Sequence, residues 1–138
     1  MIDIVKLALE TATEAHKGQF RNDGKTPYIT HPEAVASKFS DPVLIAIALL
    51  HDVLEDSDMT LSDLEKQGFP MDVIFSVGAL TKVSGESYLD YILSIRDDPR
   101  AKAVKIEDLK HNLSTLEPKN KTMRDKYQLA LYILEYDR

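Results

Sequence analysis

The chain has 138 residues, 43% of them hydrophobic, which suits one domain around one core over residues 1–138 and is too apolar for a disordered chain. It contains no cysteine, which excludes disulfides, thiolate metal sites and a cysteine nucleophile, and it suits a reducing, cytoplasmic setting. The formal net charge is −6 and no basic stripe is visible, so a nucleic-acid partner is not expected; an acidic chain that takes an anionic substrate needs a metal or a local basic cluster to offset its own field.

The N-terminal stretch MIDIVKLALE carries Asp3, Lys6 and Glu10, and so reads as neither a signal nor a transit peptide. Val5, Ala8, Leu9, Ala12 and Ala15 recur at helical spacing and predict one apolar helix face that ends by Gly18. Asn22, Asp23, Gly24 and Pro27 mark a polar loop. Pro32 is then expected as the first residue of a short helix. Asp41-Pro42 and Asp98-Pro99 each pair an N-cap with a helix-starting proline. From residue 42 to about 55 the sequence is apolar nearly all round, which predicts a helix buried on most sides at the centre of the fold. Its apolar run over 43–50 is too short to cross a bilayer, and no membrane partner is expected. Thr60 with Asp63 resembles a capping box. Helices over 70–80, 86–96, 99–116 and 123–135 complete the set. Nothing alternates as a strand does, so the expected fold is an all-α, compact single-domain helical bundle.

The stretch HDVLED at residues 51–56 is the most informative. On a continuous helix Asp52 shares a face with Glu55 and Asp56, and His51 sits above Glu55. Carboxylates near a helix C-terminus oppose its dipole, at about a few tenths to 1 kcal/mol each, and a bound cation reverses that penalty. His31 lies at a loop-to-helix junction where Pro32 biases it away from helical geometry. Asp108 lies mid-helix, with Asn112 one turn later on the same face. Two imidazoles and two carboxylates suit a borderline divalent ion such as Mn, Fe or Zn, and they leave positions open for water and substrate.

The segments AHKGQFRNDGKTPYITHP, LLHDVLED, ALTK and VKIEDLKHNL follow one another in this order, and KYQLALYILE closes the chain. Together they resemble the hydrolase domain of the RelA/SpoT family, in particular its small stand-alone, metazoan-type members, over essentially the whole chain. The resemblance implies an HD-domain phosphohydrolase fold and a Mn(II) ion, or another divalent transition metal, held by His31, His51, Asp52 and Asp108. It casts Glu55 and Asp56 as activators of the attacking water. It places Arg21 against a guanine base, with Asn112 and Thr115 beside the substrate. The implied reaction removes the 3′-pyrophosphate of guanosine tetra- or pentaphosphate, (p)ppGpp, giving GDP or GTP and pyrophosphate, with this guanosine nucleotide as the small-molecule partner. Synthetase activity is not expected, and the oligomeric state is left open.

The sequence departs from the family pattern on the substrate side. Leu109 stands where a basic residue often follows the late aspartate, Asn22 and Asp23 follow Arg21, and Ser114 replaces an arginine. These changes remove positive charge, and they motivate a second reading, a different nucleotide phosphate such as NADPH. A non-catalytic nucleotide-binding module is the third, with the Glu55-Asp56 pair against it. Lys17, Lys25, Lys105 and Lys110 are candidates to restore the missing positive charge, against the commoner reading of each as a solvated surface residue. His16 and His111 are expected in structural or supporting roles, Lys82 at a helix end, and Tyr88 and Tyr91 in packing; Tyr28 and Tyr127 are read as packing by default, with the wall of a nucleotide pocket as the alternative.

Overall fold

The computed structural model describes residues 2–136. Nine helices run through the described residues: α1 (Ile4–Ala15), α2 (Thr30–Ala36), α3 (Pro42–Leu50), α4 (Val53–Asp56), α5 (Leu61–Gln67), α6 (Met71–Ala79), α7 (Tyr88–Ile95), α8 (Pro99–Thr115) and α9 (Lys121–Glu135). The only extended pairing among them is an isolated antiparallel bridge between Phe20 and Pro27. The all-α expectation holds. No helix of the described residues is long and apolar enough to cross a membrane.

The local signals act where they stand. Asp41 and Asp98 accept hydrogen bonds from the first free amides of α3 and α8, each ahead of a proline. Thr60 and Asp63 close a capping box on α5, and Gly68 ends that helix at φ 104°, a conformation that favours glycine. Helix α3 packs on α1, α2, α6 and α8 at once, which is the central position its composition predicted. Ile47 and Leu50 are fully buried there, each stabilising the fold by roughly 1.5–3 kcal/mol. Helix α9 lies against α7 and α8.

Three expectations need correction. In α1 the buried line is Ala8, Thr11 and Ala12, while Leu9 is 39% exposed, because Ile4 and Leu7 pack on the core instead. Helix α2 begins at Thr30, so His31 is inside its first turn; Pro32 is tolerated there because a first-turn residue has no helical acceptor for its amide. The helix expected through 42–55 breaks at His51 and Asp52 and restarts as α4. His51 causes the break. Its ring Nδ1 reaches the carbonyl of Ala48 at 2.5 Å, the acceptor an uninterrupted helix offers to the amide of Asp52.

Candidate metal centre and substrate cavity

His31 arrives from α2, His51 and Asp52 from the α3–α4 break, and Asp108 from the middle of α8, so three separate parts of the chain meet. His31, His51 and Asp108 are all buried, and each offers a ligand atom within 4.8 Å of the others. His31 Nε2 lies 2.7 Å from Asp108 Oδ1, and His51 Nε2 lies 3.3 Å from the same oxygen. Asp52 Oδ2 adds a fourth donor, 3.1 Å from His51 Nε2 and 3.8 Å from His31 Nε2.

The protonation of His51 tests whether a cation fits. Its Nδ1 donates to the Ala48 carbonyl, so in the neutral ring Nε2 carries a lone pair. That atom is buried without a hydrogen-bond partner, although two carboxylate oxygens face it. A lone pair facing two carboxylates is repulsive unless a positive charge sits among them. Burial alone would pull the His51 pKa down, but the charges of Asp52 and Asp108 override it and push it well above the ordinary imidazole value. A proton therefore holds the place of a cation. Burial would raise both carboxyls, yet the His51 charge brings Asp52 down to about 2, and Lys105 together with His51 holds Asp108 well below the usual range. The His31–His51–Asp108 group has the donor set and the spacing to bind a metal.

No family model matches the chain. Individual proteins do. Over 119 residues the chain is 36% identical to the guanosine-3′,5′-bis(diphosphate) 3′-pyrophosphohydrolase of Haemophilus influenzae, an alignment that covers 76% of this chain and 17% of that protein. It is 35% identical over 127 residues to the bifunctional (p)ppGpp synthase/hydrolase SpoT of Escherichia coli, covering 81% of this chain and 18% of that protein. The chain thus spans less than a fifth of the length of these curated relatives. A solved structure described as a metazoan ortholog of SpoT that hydrolyzes ppGpp matches with a TM-score of 0.75 and 26% identity, covering 97% of this chain and 84% of that one. Most of the chain is therefore similar to part of the SpoT-type proteins, and nearly all of it to the metazoan structure.

Six of the residues that the resemblance singled out, Arg21, Asp52, Glu55, Asp108, Asn112 and Thr115, line two adjoining cavities. The smaller, about 230 Å³, is lined by Asp52, Glu55 and Asp108 together with Lys82, Lys105 and Lys126. Glu55 Oε1 accepts from the amide of Lys82 at 2.7 Å, which fixes the carboxylate at the cavity wall. Asp56 is outside the residues lining either cavity. Its carboxyl is raised by burial and then by the Asp52 charge, and its backbone carbonyl accepts from Gln19 Nε2 at 2.7 Å. The larger cavity, about 580 Å³, is lined by Arg21, His111, Asn112 and Thr115 among others. Arg21 donates to Thr115 Oγ1 at 2.7 Å and to Asn112 Oδ1 at 3.3 Å, so these three side chains, from the 19–28 loop and from α8, converge. Asn112 lines both cavities and donates to Asp108 Oδ1 at 3.2 Å. It therefore links the candidate metal centre to the larger cavity.

Four features of this site go beyond the default readings of their residues. Lys105 is not a surface residue: its ammonium is 2.9 Å from Asp108 Oδ2 with the side chain 13% exposed. The signal was present, because position 105 shares a helix face with 108. Tyr28 does more than pack; its hydroxyl donates to Asp52 Oδ2 at 2.5 Å. Tyr88 and Tyr91 line the smaller cavity, and the Tyr91 hydroxyl donates to the carbonyl of Leu80. Gln19 joins His16, Ala15 and Asp56, tying the end of α1 to the metal-centre segment. His16 is buried, as expected. Lys110 remains outside, paired with Glu107 and Glu135. Asp23, one of the departures, folds back on its own loop: its oxygens accept from the Thr26 hydroxyl and from the Thr26 and Lys25 amides, which lowers its pKa to about 2.

Proposed function

We propose that the protein is a metal-dependent hydrolase that removes the 3′-pyrophosphate of (p)ppGpp, releasing pyrophosphate and GDP or GTP. The observation that carries this reading is that the His31, His51, Asp52 and Asp108 cluster opens, with Glu55, onto a cavity bordered by three lysines and joined through Asn112 to the Arg21–Thr115 cavity. The H. influenzae relative, whose name states this reaction, and the metazoan structure, described as a protein that hydrolyzes ppGpp, support it.

In this reading His31, His51, Asp52 and Asp108 hold Mn(II). The metal, when bound, supplies Lewis acidity and a water of lowered pKa. Glu55, held by the Lys82 amide, orients the attacking water, and Asp56 behind it assists. The pyrophosphate lies in the smaller cavity, where Lys82, Lys105 and Lys126 offset its charge and the acidity of the chain as a whole. The nucleoside lies in the larger one, with Arg21 against the base and Asn112 and Thr115 beside the sugar. Arg21 is already fixed by its two side-chain acceptors, so little ordering remains when the substrate binds.

The test is direct. Purified protein with Mn(II) is expected to release pyrophosphate from ppGpp, and His51→Ala or Asp52→Ala to abolish release. No turnover with any of Mn(II), Fe(II), Co(II) or Zn(II) would overturn the reading. A different nucleotide phosphate is the second reading, and it is favoured by Asp23 and Glu117 on the wall of the larger cavity. A parallel panel of ppGpp and NADPH separates the two. Tight binding of ppGpp with metal but no product would instead indicate a nucleotide-binding module.

A further inference from the structure

His31 is held from both sides. Its Nε2 faces Asp108 Oδ1 at 2.7 Å, and its Nδ1 lies 2.7 Å from Nδ1 of His111. The two rings are tilted by only 26° and their centroids are 4.9 Å apart, longer than the nitrogen–nitrogen distance by about two ring radii. The nitrogens therefore sit on the facing edges of nearly coplanar rings, which is the geometry of a hydrogen bond along the line of centres and not of face-to-face stacking.

A neutral imidazole carries one ring hydrogen, so this contact admits two arrangements. In one, His31 donates from Nε2 to Asp108 and accepts from His111 at Nδ1. In the other, His31 donates from Nδ1 to His111, and its Nε2 lone pair is free. Only the second lets Nε2 face a metal. The pair carries two ring hydrogens in either arrangement; His111 holds its own on Nδ1 in the first and on Nε2 in the second. A carbonyl or carboxylate at this place could accept but never donate. An imidazole satisfies His31 with the metal absent and with it present. We propose that His111 is a positioning residue of the metal centre: by accepting the Nδ1 hydrogen of His31 it fixes the tautomer that leaves Nε2 free for the metal. The proposal rests on the metal-centre reading above, but its test uses no nucleotide, so it fails or stands apart from the assignment of substrate.

The measurement is Mn(II) affinity by loss of the free-ion electron spin resonance signal, on wild type and on His111→Ala, His111→Asn, His111→Gln and His111→Phe. The oxygen of an asparagine side chain mimics Nδ1 of histidine, whereas that of glutamine mimics Nε2. His111→Asn is therefore expected to bind within about threefold of wild type, and His111→Ala, His111→Gln and His111→Phe about ten- to a hundredfold more weakly. A packing role alone would instead let His111→Phe rank with or above His111→Asn. In Zn(II)-loaded wild type, long-range 1H–15N correlation is expected to place the His31 hydrogen on Nδ1. Equal affinity for His111→Ala and wild type, a His31 hydrogen on Nε2 in the loaded protein, or a wild type that binds no divalent cation would each overturn the proposal.

Discussion

Tyr28 donates its hydroxyl hydrogen to Asp52 Oδ2 at 2.5 Å, joining the 19–28 loop to the break between α3 and α4. Burial, and then the neighbouring Asp52 charge, raise the phenol pKa, so the hydroxyl stays protonated and remains a donor. The same carboxylate oxygen lies 3.1 Å from His51 Nε2. Tyr28 therefore aims Asp52 at the centre of the cluster. Tyr28→Phe keeps the ring and removes only the donor. It is expected to weaken Mn(II) binding about tenfold and to lower stability by about 1 kcal/mol, measured by metal titration and urea unfolding. Unchanged metal affinity would show that Asp52 needs no such support.

The metal-free protein is expected to be most stable near pH 6.5. His51 has a raised folded pKa, so its contribution is fully present below the unfolded value of about 6.5 and is lost as pH rises through the folded value. His31 is lowered by burial, so its contribution is lost as pH falls below about 6.5. Asp52 and Asp108 are depressed, so theirs is present above the unfolded value of about 3.9 and is lost as pH falls through the folded one. In the proposed site Mn(II) replaces the His51 proton, so adding it is expected to flatten the alkaline limb. Melting temperatures from pH 4 to 9 in chelator and in Mn(II) check this; parallel curves would contradict it.

Lys105→Met keeps most of the stem and removes the ammonium from Asp108 Oδ2. Breaking a buried ion pair on one side costs about 3–5 kcal/mol. The expected loss in chelator lies near the low end, because His31 and Asn112 still bond the other carboxylate oxygen. Saturating Mn(II) is expected to recover part of it. Urea denaturation with and without metal provides the measurement, and a loss below 1 kcal/mol would mean that the pair is dispensable.

Arg21→Ala is expected to raise KM for ppGpp at least tenfold while leaving Mn(II) affinity at the wild-type value, since Arg21 bonds Thr115 and Asn112 and none of the four candidate ligands. Arg21→Lys is expected to recover little, because an ammonium lacks the planar fork that reaches two acceptors and stacks on a base. Steady-state kinetics with parallel metal titration separate the effects.

Legibility from sequence follows the range of each interaction. The caps at Asp41, Asp98 and Thr60 act within three residues, and all are visible in the sequence. The helix break at His51 is not, because helical periodicity continues across it and only the reach of the His51 ring to the Ala48 carbonyl interrupts it. Leu9 fits a helical face in sequence, yet which face is buried depends on where α3 and α5 lie, and Thr11 takes the inner position by bonding Gln67. Lys105 and Tyr28 were read by the average habits of lysine and tyrosine, which buried carboxylates override.

The sequence by itself determined an all-helical chain, its buried central helix, and the residue types that gather at the candidate metal centre. Those follow from periodicity, capping and the donor chemistry of histidine and aspartate, all of which are local. Only the tertiary structure decided how His31, His51, Asp52 and Asp108 face one another, that Tyr28 supports Asp52, and that His111 meets His31 edge to edge. Those contacts join parts of the chain that are up to 80 residues apart, as at His31–His111, and a distance between side chains on different helices is set by packing.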